Sequence, residues 1–201
     1  MAHRTPLLAG NWKMHGLRGD AEALARGIAA GCAGVAGREV LLGPPFTSIE
    51  TVARVIAGTP ILLAAQNLHW EAKGAFTGEV SASMLRDAGC THVIIGHSER
   101  RQFFGETDAT VARKVQAAQA AGLVPIVCVG ETLAEREAGA TLEVVGRQLR
   151  DGLPGQDATA IASLAVAYEP VWAIGTGKVA TPGQAQEVHA FLRSTLADLA
   201  G

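Results

Sequence analysis

Long apolar runs are missing from this sequence. None approaches the roughly 18 residues that a membrane-spanning helix needs, and the opening residues, Met1 to Pro6, hold no apolar core of the kind a secretory leader carries. A cytoplasmic chain without a membrane partner is the expectation. Cysteine is scarce as well: Cys32, Cys90 and Cys128 fall in three separate segments, with no Cys-x-x-Cys pair and no histidine cluster beside them. That pattern excludes a disulfide framework and a thiolate metal site, and it leaves three reduced packing residues. Charge of one sign is not in excess either. Lys and Arg number 17 against 19 Asp and Glu, a formal net charge of −2, so neither a basic nucleic-acid surface nor a polybasic membrane anchor is expected. With no low-complexity stretch or linker, and 48% hydrophobic residues, the chain is expected to bury a sizeable core as one domain over residues 1–201.

What is present is one theme used six times. Apolar stretches at 6–13, 39–43, 61–65, 91–95, 123–129 and 162–168 read as strands, and each is followed by an amphipathic stretch that reads as a helix. The helices are expected at 20–32 with Leu24 and Ile28 inward, 48–57, 80–88, 107–122 and 140–149 with Leu142, Val145 and Leu149 inward, and from Thr181 onward. Thr181-Pro182-Gly183-Gln184 has the form of a capping box with proline at the first helical position. Six βα units argue for a parallel sheet with covering helices. Their period of roughly 33 residues is close to a (β/α)8 barrel of about 250 residues divided by eight. Six units against eight set a further expectation, a C-terminally incomplete barrel. On that view the molecule is longer by about 50 residues, or else the 201-residue chain is a folded or assembling module without turnover.

In such a barrel the chemistry sits at the C-terminal ends of the strands. Asn11 and Lys13 end the first strand and, two apart, would share a face under the strand period. Lysine occurs only four times in the chain, which makes one at a strand end notable, although a surface charge is the simpler account of Lys13 taken alone. His97 follows the fourth strand and opens the polar turn Ser98-Glu99-Arg100-Arg101. Free backbone N–H groups there would disfavour an imidazolium and help to keep the ring neutral. Glu169 ends the sixth strand, where Pro170 stiffens the chain behind it. An isolated Glu-Pro is usually a solvated connection, but here a glycine-rich stretch with Gly175 and Gly177 follows and could act as a lid. Arg100 and Arg101 are expected in structural ion pairs, and His3, His15, His69, His92 and His189 show no catalytic spacing.

Together, Ala9-Gly10-Asn11-Trp12-Lys13-Met14, Ile94-Ile95-Gly96-His97-Ser98-Glu99-Arg100-Arg101, Cys128-Val129-Gly130-Glu131 and the stretch from Ala167 to Lys178 resemble triosephosphate isomerase, in order and in register. The resemblance implies a TIM barrel, an aldose–ketose isomerase without cofactor or metal, and a homodimer acting on dihydroxyacetone phosphate and glyceraldehyde 3-phosphate. It places the family's base on Glu169, its electrophile on His97 and its cation on Lys13. Asn11 falls on the supporting position, Glu99 on one close to that lysine, and Gly175 on the lid glycine whose N–H meets phosphate. The polar loop 66–79 resembles the family's dimer loop, with Thr77 as the residue that enters the neighbouring site. Trp70 and Phe76, apolar rings on that loop, fit a partner surface or a fold back onto the chain itself.

Overall fold

In the computed structural model, which describes residues 4–201, β1 (Leu7–Asn11) runs parallel to β2 (Glu39–Gly43) with Ala9 opposite Leu41. Parallel pairing continues from β2 to β3 (Leu62–Ala65) and from β3 to β4 (His92–Ile95). His3 lies outside the described residues. Leu41, Leu42, Leu63, Ala64, Val93 and Ile95 are all buried, as a parallel sheet covered on both faces requires. β1 is the exception, with Leu8 52% exposed.

These strands are joined by α1 (Arg18–Gly31), α2 (Ile49–Ile56) and α3 (Ala82–Asp87). In α1 half of the expected inward face is found, with Ile28 half-buried. Leu24 is exposed, and Ala21 and Ala25 are the buried pair. Small side chains one turn apart let α1 sit closely on α2, a geometry that leucine would prevent. This first compact unit ends at Ile94 and takes in Ala120–Leu123.

The second unit comprises Ile95–Gln119 and Val124–Gly201. Its opening residues form a short helix, α4 (Ser98–Phe103), where a polar turn is expected from sequence. α5 (Asp108–Ala120), β5 (Val124–Val129), α6 (Leu133–Glu137) and α7 (Thr141–Gly152) follow. Val144, Val145, Gln148 and Leu149 form the buried face of α7, while Leu142 is only half-buried. The sixth strand, β6 (Ala165–Tyr168), is shorter and less buried than its apolar run suggests. Residues before it coil into α8 (Ala158–Ala162), because the Asp157 carboxylate accepts the Ala160 N–H at 2.8 Å and nucleates a helical turn. β6 pairs parallel with β5, Val129 opposite Tyr168. α9 (Pro182–Ala200) opens with the expected Thr181–Gln184 capping box and buries Val188, Leu192 and Thr195.

The two arginines behave as expected. Arg100 pairs with Glu106 at 2.7 Å, Lys114 meets the same carboxylate at 2.8 Å, and Arg101 pairs with Asp108.

Candidate active site

Backbone donors and a capping histidine build the centre of the second unit. His97 is the N-cap of α4, and its Nδ1 accepts the Glu99 N–H at 3.2 Å. A ring nitrogen that accepts an N–H carries no proton, so the hydrogen-bond network assigns the proton to Nε2 and leaves the ring neutral. That Nε2–H faces Oε1 of Glu169 at 2.8 Å. The other oxygen, Oε2, accepts the Ser98 N–H at 2.9 Å. The carboxylate is thus held by one imidazole and one amide, with its side chain 15% exposed. Its main chain is held as well, since the Glu169 N–H donates to the Val129 carbonyl at 2.8 Å and extends the β5–β6 pairing by one residue. Oε2 of Glu99 lies 3.6 Å from the His97 Nδ1.

Just behind Glu169 is a fully buried carboxylate. Oε1 of Glu131 accepts from Arg136 at 2.8 Å, Tyr168 at 3.0 Å and Trp172 at 2.9 Å. Burial first, and then the Glu131 charge and hydrogen bond, push the Tyr168 phenol up to about 12. Burial, with a contribution from the Glu169 charge, raises the Cys128 thiol well above its usual range. Both groups therefore keep their protons at neutral pH.

The stretch after Pro170 is a 3₁₀ turn (Val171–Ala173) followed by Gly175 and Gly177 at φ 68° and 77°. Both lie in the left-handed region that suits glycine. Thr176 Oγ1 donates to the Trp172 carbonyl at 2.7 Å, and Val179 is exposed. A cleft of about 580 Å³ lies under this segment, lined by Ser98, Gln148, Glu169, Trp172 and Lys178 among others.

Asn11 and Lys13 belong to the first unit, and there the strand-period argument fails. β1 stops at Asn11, and Lys13 has a left-handed backbone at φ 52°. No other non-glycine residue among those described has a positive φ. The strained turn is locked: the Lys13 N–H donates to Asn11 Oδ1 at 2.9 Å, and Gln66 Nε2 donates to the carbonyls of Lys13 at 2.9 Å and Gly43 at 2.8 Å. Thr77 is exposed on its loop. The rings beside it gather on His69, with Trp70 at 4.3 Å and Phe76 at 4.4 Å between centroids.

Sequence reasoning does not reach Ser98, Gln66, Glu131 or Gln148 as supports. For Gln148 a signal exists, an amide set in the apolar Val144-Val145-Leu149 face of α7.

Residues 6–200 match the family profile described as triosephosphate isomerase. The chain belongs to the triosephosphate isomerase family. A triosephosphate isomerase from Moorella thermoacetica is 59% identical over 198 residues, covering 98% of this chain and 79% of that protein. One from Citrifermentans bemidjiense is 57% identical over the same extent. A crystal structure of triosephosphate isomerase from Bartonella henselae superposes with a TM-score of 0.85 at 45% identity, covering 95% of this chain and 75% of that one. The fold is therefore that of the (β/α)8 TIM barrel, of which this chain carries six βα units. As a member of the triosephosphate isomerase family, the chain is an isomerase.

Proposed function

We propose that this chain interconverts dihydroxyacetone phosphate and D-glyceraldehyde 3-phosphate by proton transfer through an enediol(ate), with Glu169 as the base. The observation that carries the reading is the 2.8 Å pairing of Glu169 with Nε2 of a neutral His97. Moving a carbonyl between adjacent carbons needs one proton lifted from carbon and returned to its neighbour, and one carboxylate can do both. Negative charge meanwhile develops on oxygen, where a preorganised N–H donor stabilises it. In triosephosphate isomerase a glutamate base beside a neutral histidine is the known arrangement. Lys13 serves as the cation with Asn11 behind it, a role its strained, locked turn supports. By the resemblance, Glu99 falls on the family position close to that lysine, and Gly175 on the lid glycine whose N–H meets phosphate. No cofactor is needed for these steps.

The same reading makes the protein a cytoplasmic homodimer of glycolysis and gluconeogenesis, joined through the 66–79 loop with Thr77 entering the neighbouring site. Phe76, 43% exposed on that loop, supports a partner surface. Light scattering behind a sizing column measures the dimer directly; a monomer at micromolar concentration would remove it.

A coupled isomerase assay tests the chemistry. Glu169→Gln keeps the shape and removes the base, so turnover is expected to fall by about 100-fold or more with folding intact. Retention of more than about a hundredth of the parent rate would show that Glu169 is not the base.

A further inference from the structure

The base needs a fixed main chain as well as a carboxylate, and one buried amide is placed to supply it. Gln148 is 6% exposed on the otherwise apolar inner face of α7. Burying a primary amide is costly unless its donor and its acceptor both find partners. Here both partners belong to one residue: the Gly130 N–H donates to Gln148 Oε1 at 2.8 Å, and Gln148 Nε2 donates to the Gly130 carbonyl at 3.0 Å. The side chain pairs with Gly130 as a neighbouring strand would, one residue past the end of β5. Gly130 in turn lies against Glu169. A methyl group built on Gly130 would fall 1.8 Å from the Glu169 carbonyl oxygen, 2.8 Å from its carbonyl carbon and 3.4 Å from its Cα. These are the three nearest atoms, so no side chain fits at Gly130 without displacing the Glu169 main chain.

We propose that Gln148 is a positioning residue for the base: its amide holds Gly130 from both polar groups, and Gly130 is the surface against which the Glu169 main chain is set. The inference rests on the assignment of Glu169 as base. It adds that α7, through an uncharged side chain that transfers no proton, sets where the carboxylate starts from. A misplacement on the order of 1 Å at a reacting group costs about 100-fold in rate, so loss of the clamp is expected to lower turnover and leave substrate affinity nearly untouched.

Gln148→Met keeps the length of the side chain and removes both hydrogen bonds. Steady-state kinetics with glyceraldehyde 3-phosphate should show kcat reduced roughly 10- to 100-fold and KM within about twofold of the parent. In the Glu169→Gln background the same change should cost nothing further, because a residue that acts through Glu169 has nothing left to position. A kcat within twofold of the parent in folded Gln148→Met overturns the inference. So does an equal loss in both backgrounds, which would mark a general structural defect. Should Gln148→Met fail to fold, Gln148→Glu retains the acceptor for the Gly130 N–H at the same length; a reduced kcat supports the clamp, and parent kcat overturns it. The two levels of the argument separate cleanly. Parent activity in Glu169→Gln removes the base assignment and the inference with it, whereas an inactive Glu169→Gln beside a fully active Gln148→Met removes the inference alone.

Discussion

At the scale of single residues, the site turns on which nitrogen of His97 holds the proton. The Glu99 N–H occupies Nδ1, so Nε2 is the donor, and it points at Glu169. Such a donor matters most when charge appears on the reacting oxygen, because its interaction strengthens between ground state and transition state. His97→Gln is therefore expected to lower kcat by about 10²- to 10³-fold while KM shifts only a few-fold, as for loss of one donor to a developing oxyanion. An effect confined to KM would show that His97 binds substrate without stabilising the charge. Ser98 shows what a residue-level reading of sequence misses. It contributes a main-chain N–H, which every residue but proline has, and only its position 71 residues from Glu169 in sequence yet 2.9 Å away in space gives it a role.

At the scale of elements, the 170–180 segment is anchored at its foot. Glu131 ties the end of β6 through Tyr168, the last turn of α6 through Arg136 and the foot of the 170–180 segment through Trp172. Arg136 also lies over the Trp172 ring at 4.8 Å. Three donors converging on one buried oxygen need its charge, so Glu131→Gln weakens all three at once. A stability loss of about 2 kcal/mol is expected, the size of a hydrogen bond to a charged group. Faster amide exchange across 170–180 should accompany it. Denaturant unfolding and hydrogen exchange measure the two effects; unchanged exchange across 170–180 would mean that Trp172 is held by packing alone.

At the scale of the whole molecule, two buried groups contribute to the response to acid. Burial lowers the His92 imidazole below its ordinary 6.5, partly offset by the Glu39 charge. Burial alone would raise Glu106, but hydrogen bonds and charges from Lys114 and Arg100 outweigh it and hold the carboxyl below 4.5. Both folded values are depressed, so in each case the unfolded chain binds the proton first. Stability from both is present above the unfolded values and is lost on acidification. The unfolding midpoint is expected to decline as pH falls below 6.5, from His92, and again below 4.5, from Glu106. His92→Gln should abolish the first decline and leave the second; a first decline that persists would place its source elsewhere.

The sequence by itself determined what depends on neighbours along the chain. β2 at Glu39–Gly43 and the Thr181–Gln184 cap of α9 fall where periodicity and capping put them, because strand alternation and end caps are settled within a few residues. The ends of β4 and β6 were legible for the same reason, and with them His97 and Glu169. Other features had to wait for the tertiary structure. Leu24 is exposed because α1 meets its neighbour through alanines, α4 forms where a turn was expected, and Lys13 adopts a left-handed turn held by Gln66 from 53 residues away. The distance from Glu169 to His97, and the contact of Gly130 with the Glu169 carbonyl, join segments that no local rule relates. Burial and proximity are properties of what packs against a residue, and the packing partners are chosen only when the whole chain has folded.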